Sequence, residues 1–371
     1  MAFATIGTAG ITDGAIATAD IADNAVTSAK TSGIPARPNA KPIIINGNMA
    51  VAQRGTSFAD VANASYTLDR YRTSINDDGA ITITQEALTS GNAYNDGFKT
   101  ALKCDVTTAD TSMTGTQKFW VQHIIEAQNL QVLKYGTSSA EKITLAFWVK
   151  ATKTGTNVVR LYAFDDDRSV SASYTISQSD TWEHKVLNIP ADTTGVIDNN
   201  NEPGIQISWA LAAGADFQSG TLATTWGANT TANDFVGQVN HMDSTSNNFH
   251  ITGIQLEVGE YTSSTLPPFQ HESYGDNLAR CQRYFEKTSG GRKFDISSAG
   301  GNQEAVAIFK TQKRANPTIA TISTTENCCS SVGNDVGVGD QTLSCRVVGT
   351  SIVATGTEKF FFAVLSADAE L

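Results

Sequence analysis

No long apolar run occurs in this chain. The longest uninterrupted one is Phe360 to Leu365, far short of the ~20 residues a helix needs to cross a bilayer, so membrane insertion is not expected. Charge is scarce too: Asp, Glu, Lys and Arg make up 17% of the 371 residues, against ~25% in an average soluble protein. The N-terminus lacks the basic and apolar regions of a secretory signal, so export by the general pathway is not expected. Clusters of Lys and Arg are missing, and the net charge is −11. A surface that tracks phosphates needs such clusters, which argues against nucleic acid and anionic membrane as partners.

Cysteine is sparse and irregular. Cys104, Cys281, Cys328, Cys329 and Cys345 are odd in number, whereas a disulfide framework shows an even, spaced set and a zinc site shows paired C-x-x-C. Cys328 and Cys329 are badly placed to bond each other; a link from either to Cys345 stays open beside the preferred reading of buried free thiols. Assembly in a reducing cytoplasm is the expectation. Catalytic signatures are missing as well: there is no Gly-x-Ser-x-Gly, P-loop, His-Glu-x-x-His or dinucleotide fingerprint. His123, His184, His241, His250 and His271 are scattered without ligand spacing. No enzyme activity, metal or cofactor is expected.

What the chain does have begins with a row of aliphatics. Ile6, Ile11, Ile16, Ile21 and Val26 recur every five residues among Gly, Ala and Thr. On a helix a step of five turns about 500°, leaving each side chain about 140° from the last. On a strand the same step alternates faces. A single coil of a pentapeptide-repeat β-helix lacks stacking neighbours, and a low-complexity leader remains a possible alternative. The reading taken is several copies wound about a shared axis, with each aliphatic of the row facing that axis.

Residues 31–42, TSGIPARPNAKP, hold three prolines and read as a semi-rigid linker. Beyond it, alternation predicts strands. Ile143, Leu145, Phe147 and Val149 point one way, with Thr144, Ala146 and Trp148 on the other face; Val159, Leu161 and Ala163, the run Trp182, His184 and Val186, and Ile205, Ile207, Trp209 and Leu211 follow the same rule. In FHITGIQLEV the parity switches after Ile251, which predicts a bulge at Gly253. SYGDNLARCQRYFEK carries Leu278, Cys281, Tyr284 and Phe285 at helical spacing, and VAIFK, PTIAT, SCRVV and FFFAVL read as further strands. The expected fold is all-β: an N-terminal winding segment (1–30), the linker (31–42), a β-sandwich (43–270) and a smaller C-terminal β domain (271–371) with a short helix at the junction.

Trp120, Trp148, Trp182 and Trp209 fall inside apolar strand patterns and are assigned to the core. Trp226 stands in the polar loop TLATTWGANTTAND, as an exposed platform or as a plug for one end of a sandwich. His241 and His250 bracket a second polar loop. Trp226 and His241 are taken as the candidate glycan-binding residues, since flat rings stack on sugar faces and loops at sandwich ends concentrate binding groups. The run Asp165-Asp166-Asp167 reads as a solvated turn, because successive strand residues point apart.

NGNMAVAQRGTSF (46–58), YTLDRYR (66–72), KITLAFWVKA (142–151), the stretch 251–287, FKTQKRANPT (309–318) and the terminal ADAEL together resemble a family of bacteriophage tail-fibre and virion-fibre proteins with a carbohydrate-binding-module-like jelly roll. The resemblance implies a homotrimeric virion component in the tail or a fibre, attached to other virion proteins through its N-terminal end and binding host-surface polysaccharide. It implies no sugar-contacting residue and no depolymerase site. Two other readings stand beside it: a purely structural collar or baseplate connector, and a glycan-degrading enzyme with carboxylates from separate strands.

Overall fold

Between Ser57 and Val258 the chain forms twelve strands: β1 (Ser57–Phe58), β2 (Tyr71–Asn76), β3 (Ala80–Ala87), β4 (Thr100–Thr108), β5 (Lys118–Glu126), β6 (Ile143–Ala151), β7 (Gly155–Ala163), β8 (Arg168–Ile176), β9 (Glu183–Ile189), β10 (Pro203–Ala213), β11 (Gly227–Ala228) and β12 (Asn248–Val258). They pair antiparallel into two six-stranded sheets, in the orders β1-β3-β4-β12-β6-β9 and β11-β8-β7-β10-β5-β2. This computed structural model describes residues 41–296, 302–335, 344–352 and 356–371, and Pro42–Leu371 forms one unit. The row Ile6, Ile11, Ile16, Ile21 and Val26 lies outside the described residues, as does the linker up to residue 40.

The sandwich follows from period-two patterning. Ile143, Leu145, Phe147 and Val149 of β6 are fully buried, as are Val159 and Leu161 of β7 and Ile205, Ile207 and Trp209 of β10. Phe147 meets Tyr174 and Trp209 of the opposite sheet edge-to-face, with ring centroids 5.1 and 5.9 Å apart. These contacts close one core between the sheets. Of the tryptophans assigned to the core, Trp209, Trp120 and Trp182 are buried, and Trp148 is only half-buried.

The parity switch in β12 is a bulge. Its pairing with β6 shifts between Thr252 and Gln255, and Gly253 has φ of +61°, a conformation that glycine adopts at no steric cost. Phe249 and Ile251 before it, and Ile254, Leu256 and Val258 after it, all face the core.

The junction helix α2 is Tyr274–Gln282, shorter than the spacing predicted; Ser273 caps it by accepting the Asp276 N–H. Tyr284 and Phe285 lie past its end, and Phe285 opens the next strand. The C-terminal strands are β13 (Phe285–Ile296), β14 (Gln303–Ile308), β15 (Thr318–Glu326), β16 (Cys329–Asp335), β17 (Ser344–Ile352) and β18 (Gly356–Asp368). They form two three-stranded sheets, β13-β18-β15 and β14-β17-β16. Their shared core holds Phe361, Ala363, Leu365 and Ala367 of β18. All five cysteines are buried free thiols, Cys328, Cys329 and Cys345 within this smaller core.

After β18 the chain returns to the sandwich. Glu370 pairs with Arg70, itself 1% exposed, and with Arg54. The Arg70 guanidinium lies 3.5 Å from the Tyr284 ring centroid.

Candidate functional site

Strands β6 and β9 place Trp148 directly opposite His184 on the face of the sheet turned away from the core. The two rings stack, with centroids 4.9 Å apart and planes inclined by 25°. One wall comes from the segment around the single-turn helix α1 (Asn92–Asn95). The Asp96 N–H bonds to Asn92 O, and its carboxylate Oδ2 accepts the Trp148 indole N–H at 3.1 Å. That bond fixes the plane of the indole. Burial pushes the His184 imidazole below its ordinary value against the opposing pull of Asp96, so the ring is neutral at pH 7.

Phe98 follows, 2% exposed, and its ring fits over Gly253, where there is no side chain to displace it. The opposite wall is the segment after β12. Gln255 donates its amide to Pro267 O at 3.1 Å, Pro267-Pro268 stiffens the backbone, and Phe269 and His271 close on Phe98 with centroids 4.9 and 5.3 Å away. The groove between the walls has a volume of about 540 Å³ and is lined by Trp148, His184, Asp96, Gln255, Ser263 and Phe269 among others. Phe98 and His271 also line a smaller hollow of about 250 Å³, with Asn48, Lys99, Thr100, Glu272 and Asn277. Aromatic planes beside a few fixed polar groups suit a ligand with both apolar C–H faces and hydroxyls.

The two residues chosen from sequence lie elsewhere. Trp226 is half-buried against the core; its indole N–H is donated to Pro190 O at 2.9 Å and its ring meets Tyr135 edge-to-face. His241 is 1% exposed, its Nε2 2.6 Å from Asn157 Oδ1. Neither lines the groove. Trp148 was legible in KITLAFWVKA, where alternation sets it opposite Phe147. Asp96 and His271 carry no such signal, because loops deliver them.

The acidic run knits loops together: Asp165 and Asp166 accept the N–H groups of Asp198 and Val196, and Asp167 accepts the Tyr162 hydroxyl. Among the described residues no three His, Cys, Asp or Glu side chains are grouped to hold a metal ion, and no helix is long and apolar enough to cross a membrane.

No protein-family model and no curated protein matches the chain. Among solved structures, it is similar to a candidate sugar-binding protein of Bacteroides thetaiotaomicron (15% identity, TM-score 0.31), over 59% of this chain and 100% of that one. It is also similar to the enzymatically active domain of tailspike protein 4 of bacteriophage CBA120 (12%, 0.29), over 58% and 21%. A third is the family 11 carbohydrate-binding module of a cellulosomal cellulase of Clostridium thermocellum (8%, 0.28), over 56% and 98%. Likenesses at this level carry no argument about function.

Proposed function

We propose that this chain is a glycan-binding component of a phage fibre or tail appendage, which adsorbs the particle to host-surface polysaccharide through the Trp148 groove. The observation that carries the reading is the Trp148–His184 stack, held beside a carboxylate and open to about 540 Å³ of groove. Sugar rings offer apolar faces to the aromatic planes and hydroxyls to Asp96, Gln255, His184 and Ser263. Virion placement rests on the resemblance of the 46–58 and 251–287 stretches. In this reading the N-terminal row joins three copies and attaches them to other virion proteins, and three weak sites act together by avidity.

The role is binding rather than cleavage. Asp96 is the one carboxylate among the described residues lining the groove, and its Oδ2 already accepts the indole N–H; glycoside hydrolysis uses two carboxyl groups across the scissile bond. The connector reading draws on a separate observation: Val306, Ile308, Ile322, Phe362 and Val364 of the C-terminal region are 39–71% exposed, as a protein-contact surface would be.

One experiment tests both. Purified wild-type chain is expected to bind host polysaccharide and compete with the particle for adsorption, and W148A to lose at least tenfold in binding with an unchanged circular dichroism spectrum. Undiminished binding by W148A overturns the groove assignment. Wild-type chain that neither binds nor competes leaves the connector reading in its place.

A further inference from the structure

Resting on the glycan reading, we infer that the groove selects neutral sugar chains and turns away those bearing uronate, sialate or phosphate, with Asp96 as the specificity-determining residue. Asp96 Oδ2 is taken by the Trp148 indole, whereas no hydrogen bond among the described residues is made to Oδ1. The carboxylate is therefore fixed in place against the stacking platform, with one oxygen still available to a ligand hydroxyl. A sugar lying on Trp148 comes within a few ångströms of that charge.

Among the described residues no lysine or arginine lines the groove. Its other titratable lining residues are His184, which burial keeps neutral, and His271. The lysines of the two strands that carry the platform are engaged elsewhere: Lys185 pairs with Glu183 at 2.6 Å, and Lys150 sits over the Trp182 ring. In the adjoining hollow, Lys99 lies 3.4 Å from the Tyr94 ring centroid, and Glu272 pairs with Arg280. A neutral hydroxyl donates a charge-assisted hydrogen bond to Asp96. An anionic substituent in the same position meets like charge at short range, and Asp96 is solvent-exposed, so screening holds the discrimination to roughly tenfold.

The test titrates the whole chain at pH 8 with matched tetrasaccharides: gluco-, galacto- and manno-configured neutral chains and the uronate counterpart of each. The expected result is that the best neutral member binds about tenfold more tightly than its uronate partner. Asp96→Asn keeps an oxygen for the indole N–H and removes the charge, so it is expected to narrow the ratio to about twofold while neutral affinity also falls, because the ligand hydroxyl loses its charge-assisted acceptor. Raising NaCl to 1 M, where the Debye length falls to about 3 Å, narrows the ratio in wild type and leaves D96N unchanged; a merely structural Asp96 would produce no such salt dependence. A uronate that binds as tightly as its neutral partner, or a ratio that D96N does not move, overturns the selectivity and leaves glycan binding standing. Failure of every chain, neutral or anionic, to bind wild type overturns the glycan reading and this inference with it.

Discussion

A Cβ on Gly253 would lie 2.7 Å from Cζ of Phe98. The bulge in β12 therefore does two things at one residue: it restores the core parity of the strand, and it leaves the opening into which a groove wall drops its ring. Gly253→Ala meets both a left-handed backbone, φ +61°, and a ring that is 2% exposed and has little room to retreat. The left-handed conformation costs an alanine roughly 1–2 kcal/mol and the overpacking about 1–3 kcal/mol more. G253A is expected to lose about 2–5 kcal/mol in urea denaturation and to weaken glycan binding. Phe98→Leu in the same chain is expected to return part of the stability. A loss below about 0.5 kcal/mol would contradict the packing argument.

The extent to which sequence disclosed this molecule depends on whether a residue's role is set by its own strand. Parity in KITLAFWVKA and FHITGIQLEV is local, so the sheet, its core face and the bulge at Gly253 were all readable. The same parity sets Trp148 opposite Phe147, although its apolar neighbours in the strand match those of a core tryptophan. Asp96 was not readable: its position depends on a one-turn helix packing against β9, and nothing in NAYNDGF announces that contact. Trp226 shows the converse. A polar loop surrounds it in sequence, but the fold supplies Pro190 O and the Tyr135 ring as its partners. Arg70 and Glu370 meet across 300 positions, a separation no periodic pattern reports.

Lys313 and Glu286 form an ion pair at 2.7 Å with both side chains 0% exposed. Glu286 also accepts the Lys310 N–H, and the Lys313 ammonium donates to Gln282 O. Removing one partner leaves a buried charge uncompensated, which typically costs about 3–5 kcal/mol. K313M is expected to fall in that range by chemical denaturation, and K313M/E286Q to recover at least about 1 kcal/mol of it. Additive losses in the double-mutant cycle would mean that the two charges do not interact.

Asp77 and Asp110 each hold a buried Oδ2 without a hydrogen-bond partner. Burial first, with the negative charges of Asp110 and Asp78 added, pushes the Asp77 carboxyl up to about 6, against the opposing Gly79 N–H. A carboxyl raised in the folded state favours folding when protonated. Its contribution is present below the unfolded value near 4 and is lost as pH rises through about 6. Asp77→Asn is therefore expected to be more stable than wild type at pH 8, with the gain fading below pH 5. A stability difference that stays constant from pH 4 to pH 8 would contradict this.

His241 produces the opposite slope. Burial, then the nearby positive charge of Lys153, pushes its imidazole down to about 4. Asn157 Oδ1 accepts the hydrogen on Nε2, and the buried Nδ1 has no partner to receive a second proton's bond. A group whose folded value is depressed contributes stability above its unfolded value near 6.5 and loses it as pH falls toward 4. The interval corresponds to about 3 kcal/mol at 1.36 kcal/mol per unit. His123, buried and pushed down in the same way, adds to this loss. In wild type the Asp77 and His241 slopes oppose each other across pH 4 to 6.5, so the single variants are needed to separate them. His241→Gln keeps a donor toward Asn157 and has no titration, so it is expected to cost about 1–2 kcal/mol at pH 7.5 and to approach or exceed wild-type stability at pH 4.5. Urea denaturation at pH 7.5, 5.5 and 4.5 measures the difference directly. A variant whose deficit is the same at all three pH values would show that proton exclusion at His241 contributes nothing to the acid sensitivity of the fold.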